Sequence, residues 1–396
     1  MPDNPRNTRS TGYSAPRPAP LTLPALANAH SHAFHRALRG RTQQGTGSFW
    51  TWREQMYDLA ARLTPDSYFE LARATYAEML AGGIGAVGEF HYLHHQPDGT
   101  PYDDPNEMGR ALLAAADEVG IRIRLLDTCY LTAGIGHPAE GVQRRFSDGS
   151  ADAWAERVAA FDDDRVGAAI HSVRAVPQDQ MSTVAAWAAG RPLHVHLSEQ
   201  PAENDACLAA YGLTPTQLLA EAGVLGPRTT LVHATHVTDT DVRLIGDSGC
   251  FVCLCPTTER DLADGVGRGA DLRAAGARIS LGSDSHAVVD LFEEMRGVEM
   301  HDRLRTGVRG HWSAQALLRC ATSDGHASLG LEADGVVLLD PASPRTAGAG
   351  ADEHAAVFAA TAADVTEVVL AGETAFDGDH GRVGRDLDAA ITKVWA

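Results

Sequence analysis

The sequence predicts an α/β protein: a (β/α)8 TIM barrel with a small β-sandwich-like appendage from the chain termini. Two observations predict this fold. Short apolar runs alternate with helical patterns eight times, and histidines or carboxylates recur where those runs end. Because parallel barrel strands share one rim at their carboxyl ends, these polar residues are expected to form a single site.

The eight apolar runs predict buried parallel strands. They lie at about residues 24–31, 85–90, 121–130, 166–173, 192–199, 229–236, 249–256 and 277–284. Amphipathic stretches such as "DSYFELARATYAEMLAGG" and "TPTQLLAEAG" lie between them, each with a capping residue at its start and glycine at its end. This alternation predicts a barrel domain over residues 21–325.

The two ends of the chain have other patterns. Residues 1–20 are rich in Pro, Arg, Asn and Ser and predict a flexible leader. From residue 326 to residue 396, the stretches "DGVVLLD", "AAVFAA" and "VTEVVLAGETAF" predict short strands separated by Gly and Asp turns. We expect a small β-rich appendage here, completed by residues that precede the barrel.

Composition limits the classes of partner. The chain has 396 residues, 44% hydrophobic and 21% charged, which is typical of a folded protein with a sizeable core. Its net charge of −19 disfavours binding to nucleic acid or to anionic membranes, so we expect a small-molecule substrate. The first ten residues lack an apolar signal region, and no apolar run approaches the roughly 20 residues that span a bilayer. A cytoplasmic protein is expected.

Three further patterns exclude common chemistries. Lys393 is the only lysine, which argues against Schiff-base, P-loop and carbamylated-lysine sites. The stretch "CFVCLC" at 250–255 has no second CxxC and is apolar, so a buried strand is favoured over a redox motif. The glycine pattern "GIGAVG" at 83–88 lies between a helix and a strand, the reverse of the dinucleotide-binding order.

Four residues are the candidate metal ligands. His30 and His32 stand two apart at the end of the first predicted strand, so their side chains share one face. His196 and Asp284 end the fifth and eighth strands, and the barrel would bring all four together. Histidine and carboxylate ligands with one open position are typical of catalytic zinc, which makes hydroxide available near neutral pH.

Two more polar residues are expected beside the metal. Glu199 follows His196 by three residues and is a candidate for proton transfer. His233 ends the sixth strand and could stabilise charge on a tetrahedral intermediate, and Asp284 could accept the proton of the attacking water. His194 lies one layer deeper in the barrel, and we expect it to serve packing.

Several motifs resemble one known superfamily. They are "HSHAFHRALRG", "SFWTWREQMY", "GEFHYLHH", "HSVRAV", "HVHLSEQ", "LVHATH" and "LGSDSH", within residues 22–325. Together they resemble the amidohydrolase superfamily and, within it, the formimidoylglutamate deiminase family. The stretches "FWTWRE", "EFHYLHH" and "HSVRAV" carry the narrower resemblance.

This resemblance implies a specific reaction and site. It implies hydrolysis of N-formimidoyl-L-glutamate to N-formyl-L-glutamate and ammonia in histidine degradation, by attack of zinc-bound hydroxide. It implies one zinc per subunit on His30, His32, His196 and Asp284, and a homodimer. Glu199, His233 and Asp284 would be catalytic, and the residues implied to bind the anionic substrate are Arg53, Tyr92, His171 and Arg174.

The residues also leave alternatives open. His35 stands where the family pattern has Gln, so contacts near the metal could differ. Another mononuclear-zinc deaminase would act on a purine, a pyrimidine or a related amidine in a ring-stacking pocket. A barrel that binds metal without catalysis is a third reading, disfavoured because structural zinc sites are usually closed.

Overall fold

The computed structural model describes residues 19–43 and 46–396, so most of the predicted leader at 1–20 lies outside the described residues. The strands of the described residues are β1 (Leu21–Pro24), β2 (Leu26–Ser31), β3 (Ile84–His91), β4 (Arg122–Cys129), β5 (Thr132–Gly134), β6 (His137–Pro138), β7 (Val166–Ile170), β8 (Leu193–Leu197), β9 (Thr229–His233), β10 (Phe251–Leu254), β11 (Arg278–Leu281), β12 (Val336–Leu339), β13 (Val365–Leu370) and β14 (Glu373–Phe376).

Eight of these strands form the predicted barrel. Their order is β2, β3, β4, β7, β8, β9, β10, β11, and every neighbouring pair is parallel. A parallel bridge between Ser31 and Asp284 joins the first strand to the segment after the last. Each apolar run of the sequence overlaps one barrel strand, so the (β/α)8 prediction is confirmed.

Helices cover the outside of the barrel. They are α1 (Phe49–Arg62), α2 (Pro65–Ala81), α3 (Glu107–Val119), α4 (Ala151–Ala159), α5 (Gln178–Trp187), α6 (Pro201–Tyr211), α7 (Pro215–Glu221), α8 (Asp239–Ser248), α9 (Pro256–Asp261), α10 (Gly269–Ala274), α11 (Leu291–Thr306), α12 (Ala314–Ala321), α13 (Ser323–Ser328), α14 (Glu353–Phe358) and α15 (His380–Trp395). Short 3-10 helices span Ala33–Leu38, Gly141–Phe146 and Ala362–Asp364. No helix of the described residues is long and apolar enough to cross a membrane.

Helix α2 shows how the sequence sets its own boundaries. The Thr64 side chain accepts a hydrogen bond from the Ser67 amide, and Pro65 occupies the first helical position. The helix ends at Gly82, and Gly83 has a φ of 83°, a backbone conformation that favours glycine. Strand β3 then begins at Ile84, so only Gly83 of the stretch "GIGAVG" lies in the predicted helix-to-strand turn, and its other five residues belong to the strand.

The chain termini form a second sheet, as predicted. It is antiparallel, in the order β1, β12, β13, β14, and it joins residues before the barrel to residues after it. One prediction in this region is wrong, because "AAVFAA" belongs to helix α14 and not to a strand. The Asp352 side chain caps this helix by accepting from the amides of His354 and Ala355, and alanine favours the helical state.

The appendage also contains a long C-terminal helix, α15, which the prediction of a β-rich appendage did not include. In α15, Val383, Leu387, Ala390 and Val394 recur at helical spacing and are buried. The Trp395 indole N–H donates to the carbonyl of Ala37 at 3.0 Å. The appendage therefore combines the antiparallel sheet with a helix that reaches back to the barrel.

The cysteines are buried side chains, in agreement with the preferred interpretation of "CFVCLC" as a buried strand. All six are free and buried. Cys253 and Cys255 pack with Ala29 and Val232 in a small apolar cluster inside the barrel. The stretch "CFVCLC" is thus a buried strand, as expected.

Candidate metal and substrate site

The four predicted ligands meet at the carboxyl rim of the barrel. His30, His32, His196 and Asp284 are buried, and one ligand atom from each lies within 4.8 Å of the others. The Nε2 atoms of His30 and His196 are 3.1 Å apart. Asp284 Oδ1 lies 3.3 Å from Nε2 of His30 and 3.3 Å from Nε2 of His32. The structure therefore forms a candidate metal site.

These donor atoms fit a zinc ion. A tetrahedral zinc with bonds of about 2.0–2.1 Å holds its ligand atoms about 3.3 Å apart. Burial lowers the pKa of His30 to about 4 and also lowers the pKa of His196, so both imidazoles are in the neutral form that a metal ligand requires. His32 donates its Nδ1 proton to the Phe90 carbonyl at 2.9 Å, which leaves its Nε2 lone pair facing the site.

The closure of the barrel positions these ligands. The Asp284 amide donates to the His30 carbonyl at 3.0 Å, and the His32 amide donates to the Asp284 carbonyl at 3.3 Å. Asn28 also crosses this seam: its Oδ1 accepts from the Ser283 amide at 2.9 Å. Asp284 has a φ of 39°, a conformation that is costly for a residue with a side chain and is common at functional sites.

Glu89 fixes the loop that carries the first two histidines. Its carboxyl oxygens accept from the Ser31 hydroxyl and from the Ala33 amide, both at 2.7 Å. Burial is the main cause that raises the pKa of Glu89 to about 8. This buried carboxyl therefore holds the backbone between and after His30 and His32.

Glu199 and His233 lie beside the metal ligands, as predicted. His233 Nε2 is 3.8 Å from Glu199 Oε1 and 3.7 Å from Asp284 Oδ2. Burial raises the pKa of Glu199 to about 7, although His233 acts in the opposite direction, so this carboxyl is suited to hold or release a proton near neutral pH. His233 has a φ of 71°, which turns the chain sharply at the end of β9.

A buried carboxylate behind His233 was not predicted. Glu259 Oε1 lies 3.6 Å from His233 Nδ1 and accepts from the Cys255 amide at 3.0 Å. Burial opposes protonation of His233, but the carboxylates of Glu199, Glu259 and Asp284 raise its pKa. Glu259 stands in "CPTTE", just past the seventh strand, so the rule that polar residues follow strand ends could have identified it.

All four predicted substrate residues line one pocket above these groups. The lining residues are His32, His35, Phe49, Trp52, Arg53, Met56, Tyr57, Tyr92, Tyr130, Phe146, His171, Arg174, His196, Glu199, His233, Leu262 and Asp284. Helix α1 contributes Arg53 and four further lining residues, Phe49, Trp52, Met56 and Tyr57. His35 contacts the Tyr92 hydroxyl through its Nε2 at 2.9 Å and so orients that phenol.

The two pocket arginines differ in their partners. Arg174 donates from Nε to Glu203 Oε2 at 2.7 Å, so its charge already has a carboxylate partner. Arg53 makes no ion pair with any described residue, and its guanidinium lies over the rings of Trp50 and Tyr57 at 4.5 and 5.6 Å. Arg53 is therefore the group with charge left to bind a carboxylate.

A second cluster of His91, His94 and Asp127 has metal-like spacing but is satisfied without a metal. Arg157 binds both oxygens of Asp127 at 2.8 and 3.0 Å. His94 donates from Nε2 to the Thr128 carbonyl at 2.9 Å. A cation here would compete with a buried guanidinium, so we assign this cluster to the core.

His94 should make the stability of the fold depend on pH. Burial lowers its pKa to about 4, below the unfolded value of 6.5, so the unfolded chain binds more protons and stability is lost as pH falls through this window. We expect His94→Gln to reduce the pH dependence of the unfolding free energy by about 1.4 kcal/mol per pH unit between these values. Urea unfolding at several pH values measures this, with His137→Gln, an exposed histidine, as the control. An unchanged slope would contradict it.

Comparisons with known proteins agree with this geometry. The amidohydrolase family model matches residues 21–372, and the chain belongs to the amidohydrolase family. It is a hydrolase of C–N bonds. The chain is 37% identical to formimidoylglutamate deiminase of Pseudomonas aeruginosa, over 93% of this chain and 88% of the relative. The resemblance stated from the motifs is thus confirmed.

Solved structures confirm the fold. A crystal structure of an amidohydrolase from Brucella melitensis superposes with a TM-score of 0.85 at 30% identity, covering 95% of this chain and 90% of that one. An adenosine deaminase from Xanthomonas campestris with bound zinc has a TM-score of 0.79 at 22% identity, covering 96% of this chain and 87% of that one. Both superpositions therefore support the same barrel fold for this chain.

Proposed function

We propose that this enzyme hydrolyses N-formimidoyl-L-glutamate to N-formyl-L-glutamate and ammonia, as a step of histidine degradation. The observation that carries the proposal is Arg53, a cation that has no ion-pair partner among the described residues and that lines the same pocket as Asp284 and Glu199. The substrate has a matching polarity, because it joins two carboxylates to a basic formimidoyl group. The similarity to the Pseudomonas enzyme supports the same assignment.

The pocket arginines would bind the glutamate portion. Arg53 would pair with one carboxylate through the planar fork of its guanidinium. Arg174 would contact the other while it keeps its bond to Glu203. His171 and Tyr92 line the same pocket, and their rings lie 5.1 and 5.3 Å from those of His196 and His32. They would donate hydrogen bonds that fix the substrate along the pocket.

The reacting end would lie among the carboxylates. His30, His32, His196 and Asp284 would hold one zinc per chain, and bound zinc supplies hydroxide at neutral pH by lowering the pKa of water. Asp284 would take the proton of the attacking water. Glu199 would give a proton to the imino nitrogen, so that ammonia can leave.

His233 would stabilise charge in the transition state. Its Nε2 faces both Glu199 and Asp284, and Glu259 holds the opposite side of the ring. A hydrogen bond from this nitrogen to the developing tetrahedral centre would act where charge appears. Water adds to the formimidoyl carbon, the carbon–nitrogen bond to the terminal nitrogen breaks, and the formyl product keeps the oxygen.

A second candidate is deamination of an aromatic base. Trp52, Tyr57 and Tyr130 line the pocket and could stack on a ring, and the adenosine deaminase fold supports this class. Such a substrate would leave Arg53 without a carboxylate partner. We therefore favour the dianionic substrate.

Ammonia release distinguishes these candidates. Zinc-loaded protein is assayed with N-formimidoyl-L-glutamate, guanine, cytosine and adenosine. Release from the first compound alone supports the proposal. Turnover of a base in its place would keep the metal chemistry and reject the substrate, whereas no turnover of any of the four compounds by zinc-loaded protein would reject the proposal.

Arg53→Met should weaken substrate binding and so raise KM. Loss of one charge-assisted bidentate contact costs about 2 kcal/mol, so kcat/KM should fall by about 30-fold while kcat changes little. Steady-state kinetics measure this. Arg62→Met on the same helix is the matched control, because Arg62 packs on Trp395 outside the pocket. A loss confined to kcat would contradict a role in binding.

A further inference from the structure

We propose that Cys255, His233 and Asp284 form a second cation site beside the zinc ligands, selective for thiophilic divalent metals, and that its occupation inhibits the enzyme. The three residues are buried, and one ligand atom from each lies within 4.8 Å of the others. His233 Nε2 and Asp284 Oδ2 are 3.7 Å apart. The inhibition rests on the proposed function, whereas the binding does not.

The second site uses ligand atoms other than those that converge at the candidate zinc site. Asp284 directs Oδ1 to His30 and His32, and its Oδ2 faces His233. A carboxylate can bridge two cations, one on each oxygen, so both sites can be filled together. Cys255 contributes a donor that the predicted zinc set lacks.

The local charge favours another cation. Glu199 Oε1 and Glu259 Oε1 lie 3.8 and 3.6 Å from the His233 ring nitrogens, so three carboxylates surround this histidine. Asp264 Oδ2 is buried without a hydrogen-bond partner, and Asp264 and Glu199 each act electrostatically on the other. In the proposed reaction a basic formimidoyl group would offset this charge, so a metal would compete with substrate.

The donor set selects the metal. Thiolate and imidazole with one carboxylate suit zinc or cadmium, whereas magnesium and calcium prefer oxygen ligands alone. Cys255 is a buried thiol in an apolar cluster, so the incoming metal must displace its proton. The S–H bond of Cys255 and the Nε2–H bond of His233 break, the metal–sulfur and metal–nitrogen bonds form, and both protons pass to the buffer, with no change of oxidation state.

Occupation would stop the reaction for a geometric reason. A metal on His233 Nε2 removes the nitrogen proposed to stabilise the transition state. A metal on Asp284 Oδ2 also blocks proton transfer from water. Excess zinc or cadmium should therefore inhibit, whereas excess magnesium should not.

The test is titration of the zinc-loaded enzyme with cadmium alone. Metal content after gel filtration and the ultraviolet absorption of the cadmium–thiolate bond report binding without any substrate. We expect wild type to retain a second metal and show the band, and Cys255→Ala to retain one metal without the band. Cys255→Val, of similar volume, is the second variant if the alanine protein unfolds. Cys253→Ala is the matched control, because Cys253 lies two residues away in the same apolar cluster but outside the ligand group.

The outcomes separate the two proposals. Inhibition by excess cadmium should weaken by about tenfold or more in Cys255→Ala relative to Cys253→Ala. A single metal in the wild type, a band that persists without Cys255, or a band lost equally without Cys253 would overturn the site. Two metals in a protein inactive on formimidoylglutamate would keep this site and reject the proposed substrate.

Discussion

Replacing Asp284 by Asn should remove both zinc and activity. Asp284 Oδ1 contacts two of the three candidate histidine ligands, and its Oδ2 faces His233, so one substitution removes a ligand charge and the proposed proton acceptor. We expect kcat/KM for ammonia release to fall by about 10⁴-fold or more, because loss of the metal removes the source of hydroxide. Zinc content after dialysis should fall well below one ion per chain.

The controls for this variant test the ligand assignment. Asp386→Asn changes an exposed carboxylate on α15 and should keep both zinc and turnover. Circular dichroism shows whether Asp284→Asn stays folded. A folded Asp284→Asn protein that keeps its zinc and most of its activity would exclude Asp284 as a ligand.

Replacing Glu199 by Gln should separate chemistry from metal binding. Glu199 lies beside His233 and is not among the four converging ligands, so zinc content should stay unchanged. The amide cannot give a proton to the imino nitrogen, and kcat should fall by about 10²–10⁴-fold. Ammonia assays stopped at fixed times measure kcat, and metal analysis of the same sample measures the zinc content.

Glu221→Gln serves as the control for Glu199→Gln. Glu221→Gln alters an exposed carboxylate at the end of α7 and should have no effect on either quantity. If Glu199→Gln loses zinc together with activity, Glu199 supports the metal site and does not transfer protons. In that case Glu199→Gln and Asp284→Asn would both lose zinc as well as activity.

Most of the barrel was predictable because its signals are local. A strand buried on both faces needs a short apolar run, and each of the eight runs overlaps one barrel strand. The order of the runs fixed which polar residues meet at the rim, since the ends of parallel strands are neighbours. The sequence alone therefore pairs His30 with Asp284, 254 positions away.

The errors lie where local signals are ambiguous. The apolar run "AAVFAA" has the length of a strand, but Asp352 caps it and its alanines favour a helix. The predicted β-rich appendage omits helix α15 because the strand pattern of "VTEVVLAGETAF" dominates the region before it. Both elements lie in the appendage, and neither changes the candidate site.

The sequence by itself determined the barrel, the family resemblance and the candidate ligands, because strand periodicity and short motifs are properties of neighbouring residues. Only the tertiary structure decided which charged side chains remain available to bind a substrate. It paired Arg174 with Glu203 and left Arg53 over two rings, and it placed Glu259 and Cys255 against His233. The ring contacts of Arg53 stand at helical spacing within α1. The other relations join segments that follow different strands, and no repeat or spacing in the sequence encodes their distances.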